Sequence, residues 1–172
     1  MYFIIIRFTR SICFLCKYGK NVKRKPHLVP ITFFHAYKAL PIPRKRLRDI
    51  AQQLYDCERI PKKECVHLIL CSDFSIKKLN ARFRNKPYPT DVLSFNYNEK
   101  DFLGEIYISL QRGKIQAKRY NVSYSSEIER LFIHGMFHLL GFDHEKPEER
   151  KRMEAKERKY IDLQESQLKN RR

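Results

Sequence analysis

The sequence predicts an α+β fold, a mixed β-sheet of about four strands packed with about five helices. Two observations predict it. Four short segments have the apolar content or the alternation of β-strands, and the segments between and after them repeat apolar residues at helical spacing. With 172 residues, 42% of them hydrophobic, the chain is long enough to build one globular core. The order of segments indicates helices packed against a single sheet.

The four predicted strands differ in pattern. Residues 31–34 form a short β-rich run, and residues 65–71 form a continuous apolar run typical of a buried central strand. We interpret His67, inside that run, as a histidine of the core or sheet face and not as a metal ligand. Residues 91–97 and 102–109 alternate between apolar and polar, and the short gap between them fits an antiparallel hairpin.

The first three predicted helices lie between and after these strands. The first begins after Pro41 and Pro43 and carries one apolar stripe, formed by Leu47, Ile50, Ala51 and Leu54. We expect Asp73 to cap the second helix. A polar helix over residues 110–121 is expected to turn Ile115 inward.

Two further helices complete the prediction. Ser126 and Glu129 have the spacing of a capping box ahead of a helix that is apolar around most of its circumference. That helix should therefore be central and buried. Pro147 suits the first turn of a last helix, on which Met153, Tyr160 and Ile161 form a narrow apolar seam.

Charge and length divide the chain into three parts. Residues 1–28 form a basic and apolar extension, for which disorder is one expectation, residues 29–166 form the globular domain, and residues 167–172 form a basic tail. The net charge is +17, and the first 48 residues hold twelve Lys and Arg and no acidic residue. A strongly positive net charge favours a polyanionic partner. The apolar runs are too short for a membrane span, and we expect no membrane partner.

The five cysteines are odd in number and their spacing suggests no disulfide framework. This usage favours a reducing compartment. The sequence therefore predicts a cytoplasmic protein.

The segment HGMFHLLGFDH, residues 134–144, predicts a metal site at the central helix. His134 and His138 are four residues apart, so they share one helical face. Gly141 is placed to end the helix with a left-handed turn that would bring His144 to the same point. Three imidazoles with an open fourth position describe a catalytic zinc site. Zinc is the first choice, although nickel, iron and copper stay open on the ligands alone.

The spacing of the three histidines matches that of the metzincin proteases, with one difference. Those enzymes carry a glutamate as general base after the first histidine, and this chain has Gly135 there. Asp143, directly before the third histidine, could orient a ligand, handle a proton or close the turn.

A basic loop at residues 80–90 supplies cations that suit phosphate. A guanidinium there could bind a phosphate through two hydrogen bonds and stabilise developing charge. The candidates are Arg82, Arg84 and Lys86.

The residues of these two segments resemble one known family. HGMFHLLGFDHE is similar to the signature of the YbeY family, RFRNKPYPTDVLSF to a second motif of that family, and Leu103 to Ser109 to its L-G-[DE]-I-x-I-S strand. The similarity extends over roughly residues 30–165. The family's members are metal-dependent, single-strand-specific endoribonucleases of bacterial rRNA maturation.

The resemblance implies a site and a function. It implies one zinc ion bound by His134, His138 and His144, a catalytic Arg84, and single-stranded RNA in a basic cleft that includes Arg82 and Lys86. It also implies maturation of the 3′ end of small-subunit (16S) rRNA and ribosome quality control, with the small subunit and its proteins as partners. Two alternatives stay open, a metal-stabilised ribosome-assembly factor without catalysis and a metal-dependent peptide hydrolase.

Overall fold

The structure is a computed structural model that describes residues 6–7, 29–97, 99–142 and 146–169. Five strands and five helices follow one another in these ranges. The strands are β1 (Ile6–Arg7), β2 (Ile31–His35), β3 (Cys65–Cys71), β4 (Val92–Asn96) and β5 (Phe102–Ser109). The helices are α1 (Arg44–Cys57), α2 (Asp73–Arg84), α3 (Leu110–Arg119), α4 (Tyr124–Leu139) and α5 (Pro147–Lys169). The predicted α+β class is confirmed, and the two-residue β1 adds to the four predicted strands.

One mixed sheet joins all five strands in the order β1-β4-β5-β3-β2. Strands β4 and β5 are antiparallel, as the hairpin prediction requires. The other three neighbouring pairs are parallel. The apolar run of residues 65–71 becomes β3, which lies inside the sheet between β5 and β2.

Alternate residues of the strands face two separate cores. In β3, Val66, Leu68 and Leu70 join a core shared with α1, α4 and α5. Ile69 and Cys71 belong to a smaller core on the opposite face, under α2. His67 points to that second face, where its ring lies between Phe34 and Phe102. Its interpretation as a sheet-face histidine is confirmed.

Helix α4 occupies the centre of the larger core, as predicted. Its apolar positions are buried on nearly every side, including Ile128, Leu131, Phe132 and Met136. Asn96, at the end of β4, donates a hydrogen bond of 2.8 Å to the carbonyl of Leu139 in the last turn of α4. The helix is thus fixed against the sheet at its C-terminal end, where the metal motif lies.

Three local predictions about helix ends and faces are wrong. Ser123, not Ser126, caps α4, since its Oγ accepts from the Ser126 N–H at 3.0 Å. Glu129 instead pairs with Arg46 of α1 at 2.6 Å, and burial raises its pKa to about 7 although Arg46 opposes the shift. Ser72 rather than Asp73 caps α2.

Ile115 is 54% exposed and does not face the core. The inward positions of α3 are Leu110, Gly113 and Ala117. Gly113 packs against Ile128 of α4, where an added Cβ would meet the rotatable Cδ1 end of that side chain at 2.6 Å. Among the described helices, none is long and apolar enough to cross a membrane.

Candidate metal centre and adjoining cleft

Helix α4 holds His134 and His138 with their Nε2 atoms 3.0 Å apart. The rings are nearly perpendicular, with centroids 4.6 Å apart. His138 is only 3% exposed, and the His134 side chain is 14% exposed. The i, i+4 spacing therefore brings the two rings together on one side of a buried, rigid helix.

The opposite nitrogen of each ring is held by an acceptor. His138 Nδ1 lies 3.0 Å from the carbonyl oxygen of Phe142, which can only accept, so this nitrogen carries a proton. His134 Nδ1 lies 2.6 Å from Glu157 Oε1 on α5. A carboxylate at this position favours the same tautomer, with the proton on Nδ1.

In their neutral forms, both rings consequently turn Nε2 lone pairs toward each other. Two lone pairs at 3.0 Å repel each other unless a cation lies between them, either a proton or a metal ion. Histidines that bind zinc have this arrangement, in which the metal takes one nitrogen and a carboxylate or a backbone carbonyl takes the other. The two side chains therefore fit a metal ion chemically.

The chain turns directly after α4, as the sequence predicts. Gly141 has φ +86°, and its N–H donates to the carbonyl of His138 at 3.0 Å. The predicted third ligand His144 and its neighbour Asp143 lie outside the described residues. The described ranges contain no group of three His, Cys, Asp or Glu side chains that could hold a metal. The full ligand set stays a prediction.

Gly135 faces the sheet. A Cβ at this position would lie 2.7 Å from Ile106 Cγ2 and 3.1 Å from Ser94 Oγ. Ser94 also donates a hydrogen bond of 3.1 Å to the Gly135 carbonyl. Close packing of α4 on β4 and β5 thus requires a residue without a side chain. This packing explains why position 135 holds glycine, whatever the substrate is.

A cleft of about 500 Å³ opens beside His134. It lies between α3, α4 and α5 and reaches the residue before β4. Its lining is Asp91, Gln116, Tyr120, Val122, Glu127, Arg130, Leu131, His134, Arg150, Met153, Glu154 and Glu157. Glu127 and Arg130 form an ion pair of 2.6 Å within it, so part of its wall is a fixed, internally neutralised pair.

Arg84 lies half-buried in the last turn of α2. Burial lowers the pKa of its guanidinium below the ordinary value, while Tyr88 and Asp91 partly offset that effect. The Asp91 side chain also accepts a hydrogen bond of 2.9 Å from Gln116 and lines the cleft with His134. Asp91 therefore links the predicted catalytic arginine electrostatically to the cleft beside the histidines.

The other two predicted RNA-binding residues lie on the surface near Arg84. Arg82 is exposed, with its guanidinium 5.3 Å from the centroid of the Phe83 ring. Lys86 is half-buried, and its backbone N–H donates to the carbonyl of Asn80. Neither residue lines the cleft.

Glu157 and Asp91 line the cleft beside His134, and the sequence patterns did not single them out. Glu157 follows Met153 by four residues and precedes Tyr160 by three, so it shares the buried face of α5 with both. A carboxylate on an apolar seam was a signal that could have found it. Asp91 carried no comparable signal, since an aspartate before a strand is common in turns.

Comparisons with known proteins identify the family of the chain. A sequence model described as "Endoribonuclease YbeY" matches residues 35–164. An endoribonuclease YbeY of Phytoplasma mali is 40% identical over 108 residues, which cover 60% of this chain and 73% of the relative. One from Thermotoga petrophila is 39% identical over 121 residues, covering 67% of this chain and 79% of the relative.

A solved structure shows the same fold. The solution structure of a Thermotoga maritima protein superposes with a TM-score of 0.59 and 31% sequence identity. The match covers 82% of this chain and 93% of that protein. From the family model and these relatives together, the chain belongs to the YbeY family of endoribonucleases.

Proposed function

We propose that the protein is a zinc-dependent endoribonuclease that cleaves single-stranded RNA. One observation carries the proposal: the Nε2 atoms of His134 and His138 face each other at 3.0 Å while both Nδ1 atoms are held by acceptors. The names of the relatives supply the substrate class. His144 is the proposed third ligand.

Each residue has a distinct proposed task. A zinc ion at this site would polarise a phosphodiester oxygen and lower the pKa of water. His134 and His138 would hold it, and Glu157 would orient His134 through the contact at Nδ1. Arg84 contacts the phosphate through its fork of N–H donors. The low solvent exposure of His138 strengthens the electrostatic interactions of the centre.

The biological substrate is proposed from the family resemblance. It is the 3′ end of small-subunit (16S) rRNA in the cytoplasm, with a role in ribosome quality control and with the small subunit and its proteins as partners. The strongly basic chain, with net charge +17, is consistent with a polyanionic substrate.

The test combines metal analysis with RNA cleavage. Wild type, His138→Ala, Arg84→Ala and the control Arg158→Ala, an exposed arginine of α5, are assayed on single-stranded and duplex RNA. We expect zinc in wild type and in both arginine variants, reduced zinc in His138→Ala, and cleavage of single strands by wild type and Arg158→Ala. Full activity of Arg84→Ala would remove this arginine from the mechanism.

Two results would favour the alternatives. Cleavage of unstructured protein but not of RNA, abolished by a chelator, would indicate a peptide hydrolase. A folded His138→Ala protein that still supports rRNA maturation would indicate an assembly factor without catalysis. The products also report the nucleophile, because a 2′,3′-cyclic phosphate end arises from attack by the 2′-hydroxyl and not by water.

A further inference from the structure

The outer face of α2 combines exposed aromatic and cationic side chains. Phe74 is 66% exposed, and Lys77, Lys78 and Arg82 are exposed as well. Phe74, Lys78 and Arg82 are each four residues apart, so they form one stripe along the helix with side chains about 6 Å apart along the axis. Among the described residues, the ring at position 74 belongs to neither hydrophobic core.

The positive charge of this face is not neutralised by the acid of its own helix. Asp73 is the only acidic residue of α2, and it is turned toward α3. Its carboxylate accepts from Ser109 Oγ at 2.5 Å and from Arg112 Nε at 3.1 Å. In the described ranges, neither Lys77 nor Lys78 takes part in an ion pair.

The ring at the start of the stripe lies beside a cation. Lys78 Nζ lies 4.3 Å from the centroid of the Phe74 ring, a distance at which ammonium and ring attract each other. The contact places an exposed flat ring beside a positive charge on this surface.

A second exposed ring lies beyond the C-terminal end of the stripe. Tyr88 is 54% exposed, and its carbonyl accepts a hydrogen bond of 2.7 Å from Asn80 Nδ2 of α2. This bond ties the loop after α2 to the helix. Arg84 lies in the last turn of the same helix, so the stripe and the loop that carries Tyr88 meet at the end of α2 where the proposed catalytic arginine lies.

We propose that the outer face of α2, from Phe74 to Tyr88, is a binding track for single-stranded RNA that leads to the cleavage centre. Cations suit the phosphates, and exposed rings suit unpaired bases, which stack on aromatic side chains whatever their sequence. A duplex hides the faces of its bases and cannot use the rings. The inference rests on the proposed function, because the track supplies RNA to the site at Arg84.

The first experiment measures the contribution of charge. Binding of a single-stranded oligoribonucleotide of about twelve nucleotides, protected from cleavage by 2′-O-methyl groups and phosphorothioate linkages, is followed by fluorescence anisotropy at several salt concentrations. The double variant Lys77→Gln/Lys78→Gln should bind more weakly. The slope of log K against log salt should become less steep by about 1.4, or about 0.7 for each phosphate that is no longer neutralised. Lys62→Gln/Lys63→Gln removes the same charge from another exposed site and should leave the slope near the wild-type value.

The second experiment measures stacking. Phe74→Ala should weaken binding of the single strand by about fivefold or more with an unchanged salt slope, and should leave binding of duplex RNA unaltered. Ile115→Ala removes a similarly exposed apolar side chain from α3 and should bind both RNAs as wild type does. Equal melting temperatures show that all variants are folded.

Three outcomes would overturn the track. The α2 variants could match their controls, Phe74→Ala could weaken duplex and single strand equally, or the α2 variants could lose binding to anionic lipid vesicles while retaining RNA binding. If the α2 variants match their controls while wild type cleaves RNA, only the track is refuted. A wild type that cleaves no RNA refutes the proposed function, and a loss of single-strand binding in the α2 variants would still support the track.

Discussion

The contact between His134 and Glu157 sets the chemical state of the nitrogen that faces the proposed metal. At 2.6 Å, the carboxylate favours the proton on Nδ1 and makes the imidazole a stronger electron donor at Nε2. The Glu157 side chain is only 13% exposed, so water competes weakly for this contact. Glu157 is thus a positioning residue that acts through His134.

Removal of this carboxylate should weaken metal binding without unfolding the protein. We expect Glu157→Gln to reduce zinc affinity about 10- to 100-fold, measured by competition with a chromophoric chelator. Glu154→Gln, one turn away along α5 and also in the cleft wall, is the matched control and should bind zinc as wild type does. Equal affinities in the two variants would show that Glu157 does not tune the ligand.

Gly135 and Gly113 offer a second comparison at single residues. A Cβ at position 135 meets Ile106 Cγ2 at 2.7 Å, a stiff branch of a buried strand residue, whereas a Cβ at 113 meets the flexible end of Ile128. We expect Gly135→Ala to lower the free energy of unfolding by about 1–3 kcal/mol through overpacking. Gly113→Ala should be neutral or stabilising, by up to about 1 kcal/mol from helix propensity. Urea unfolding measures the free energy of unfolding of both variants. A Gly135→Ala protein as stable as wild type would contradict the packing argument.

At the scale of elements, α5 is attached to the end of α1 by one carboxylate. Glu58 accepts from Lys156 Nζ at 2.5 Å and from Tyr160 Oη at 2.8 Å. Burial alone would raise the pKa of Glu58, but the hydrogen bonds from Lys156 and Tyr160 lower it below 4.5. Because α5 also carries Glu157, this attachment supports the orientation of His134.

The lowered pKa predicts a pH dependence of stability. The folded protein binds the Glu58 proton more weakly than the unfolded chain does, so the contribution is present above about pH 4.5 and is lost as the pH falls through the folded value. Glu58→Gln should cost about 1–2 kcal/mol near neutral pH, and its difference from wild type should narrow in acid. Asp56→Asn, whose carboxylate is exposed and lies 3.6 Å from Lys62, should change stability by less than about 1 kcal/mol.

The elements themselves could be predicted because their patterns reflect burial. The continuous apolar run of β3 and the nearly all-apolar α4 fit few positions other than the core in a chain of this length. Helix caps could not be assigned as well, since Ser123 and Ser126 both offer a hydroxyl near the start of α4, and only the structure shows that Ser123 accepts from the Ser126 N–H. Glu129 had a partner 83 residues away, which no local pattern contains. Ile115 was predicted inward because it is apolar, although Gly113 and Ala117 lie on the inward face of α3.

Over the whole molecule, the proposed site combines residues from both faces of the sheet. The histidines lie on α4 in the larger core, while Arg84 ends α2, which covers the opposite face. The loop from 85 to 91 leads from one layer to the other and ends at Asp91 in the cleft. The sequence motifs predict both halves of this proposed site, and the sheet topology places them on elements of opposite layers.

Metal removal should be visible in global stability. A ligand that binds only the folded state at one hundred times its Kd adds about 2.7 kcal/mol, which corresponds to a rise in melting temperature of about 5–10 °C for a chain of this length. We expect a chelator to lower the Tm of wild type by this amount and zinc to restore it. His138→Ala should show no such response, and an equal response in this variant would place the stabilising metal elsewhere.

The location of Glu157 on α5 has a consequence for the newly made protein. The ribosome releases the chain from its N-terminal end at about 5–20 residues per second, so β2 to β5 and α4 emerge before α5 does. Until Tyr160 and Lys156 reach Glu58, the carboxylate that orients His134 is not in position. The proposed nuclease would therefore acquire its complete centre only after β2 to β5 and α4 have emerged from the ribosome whose RNA it is proposed to cut.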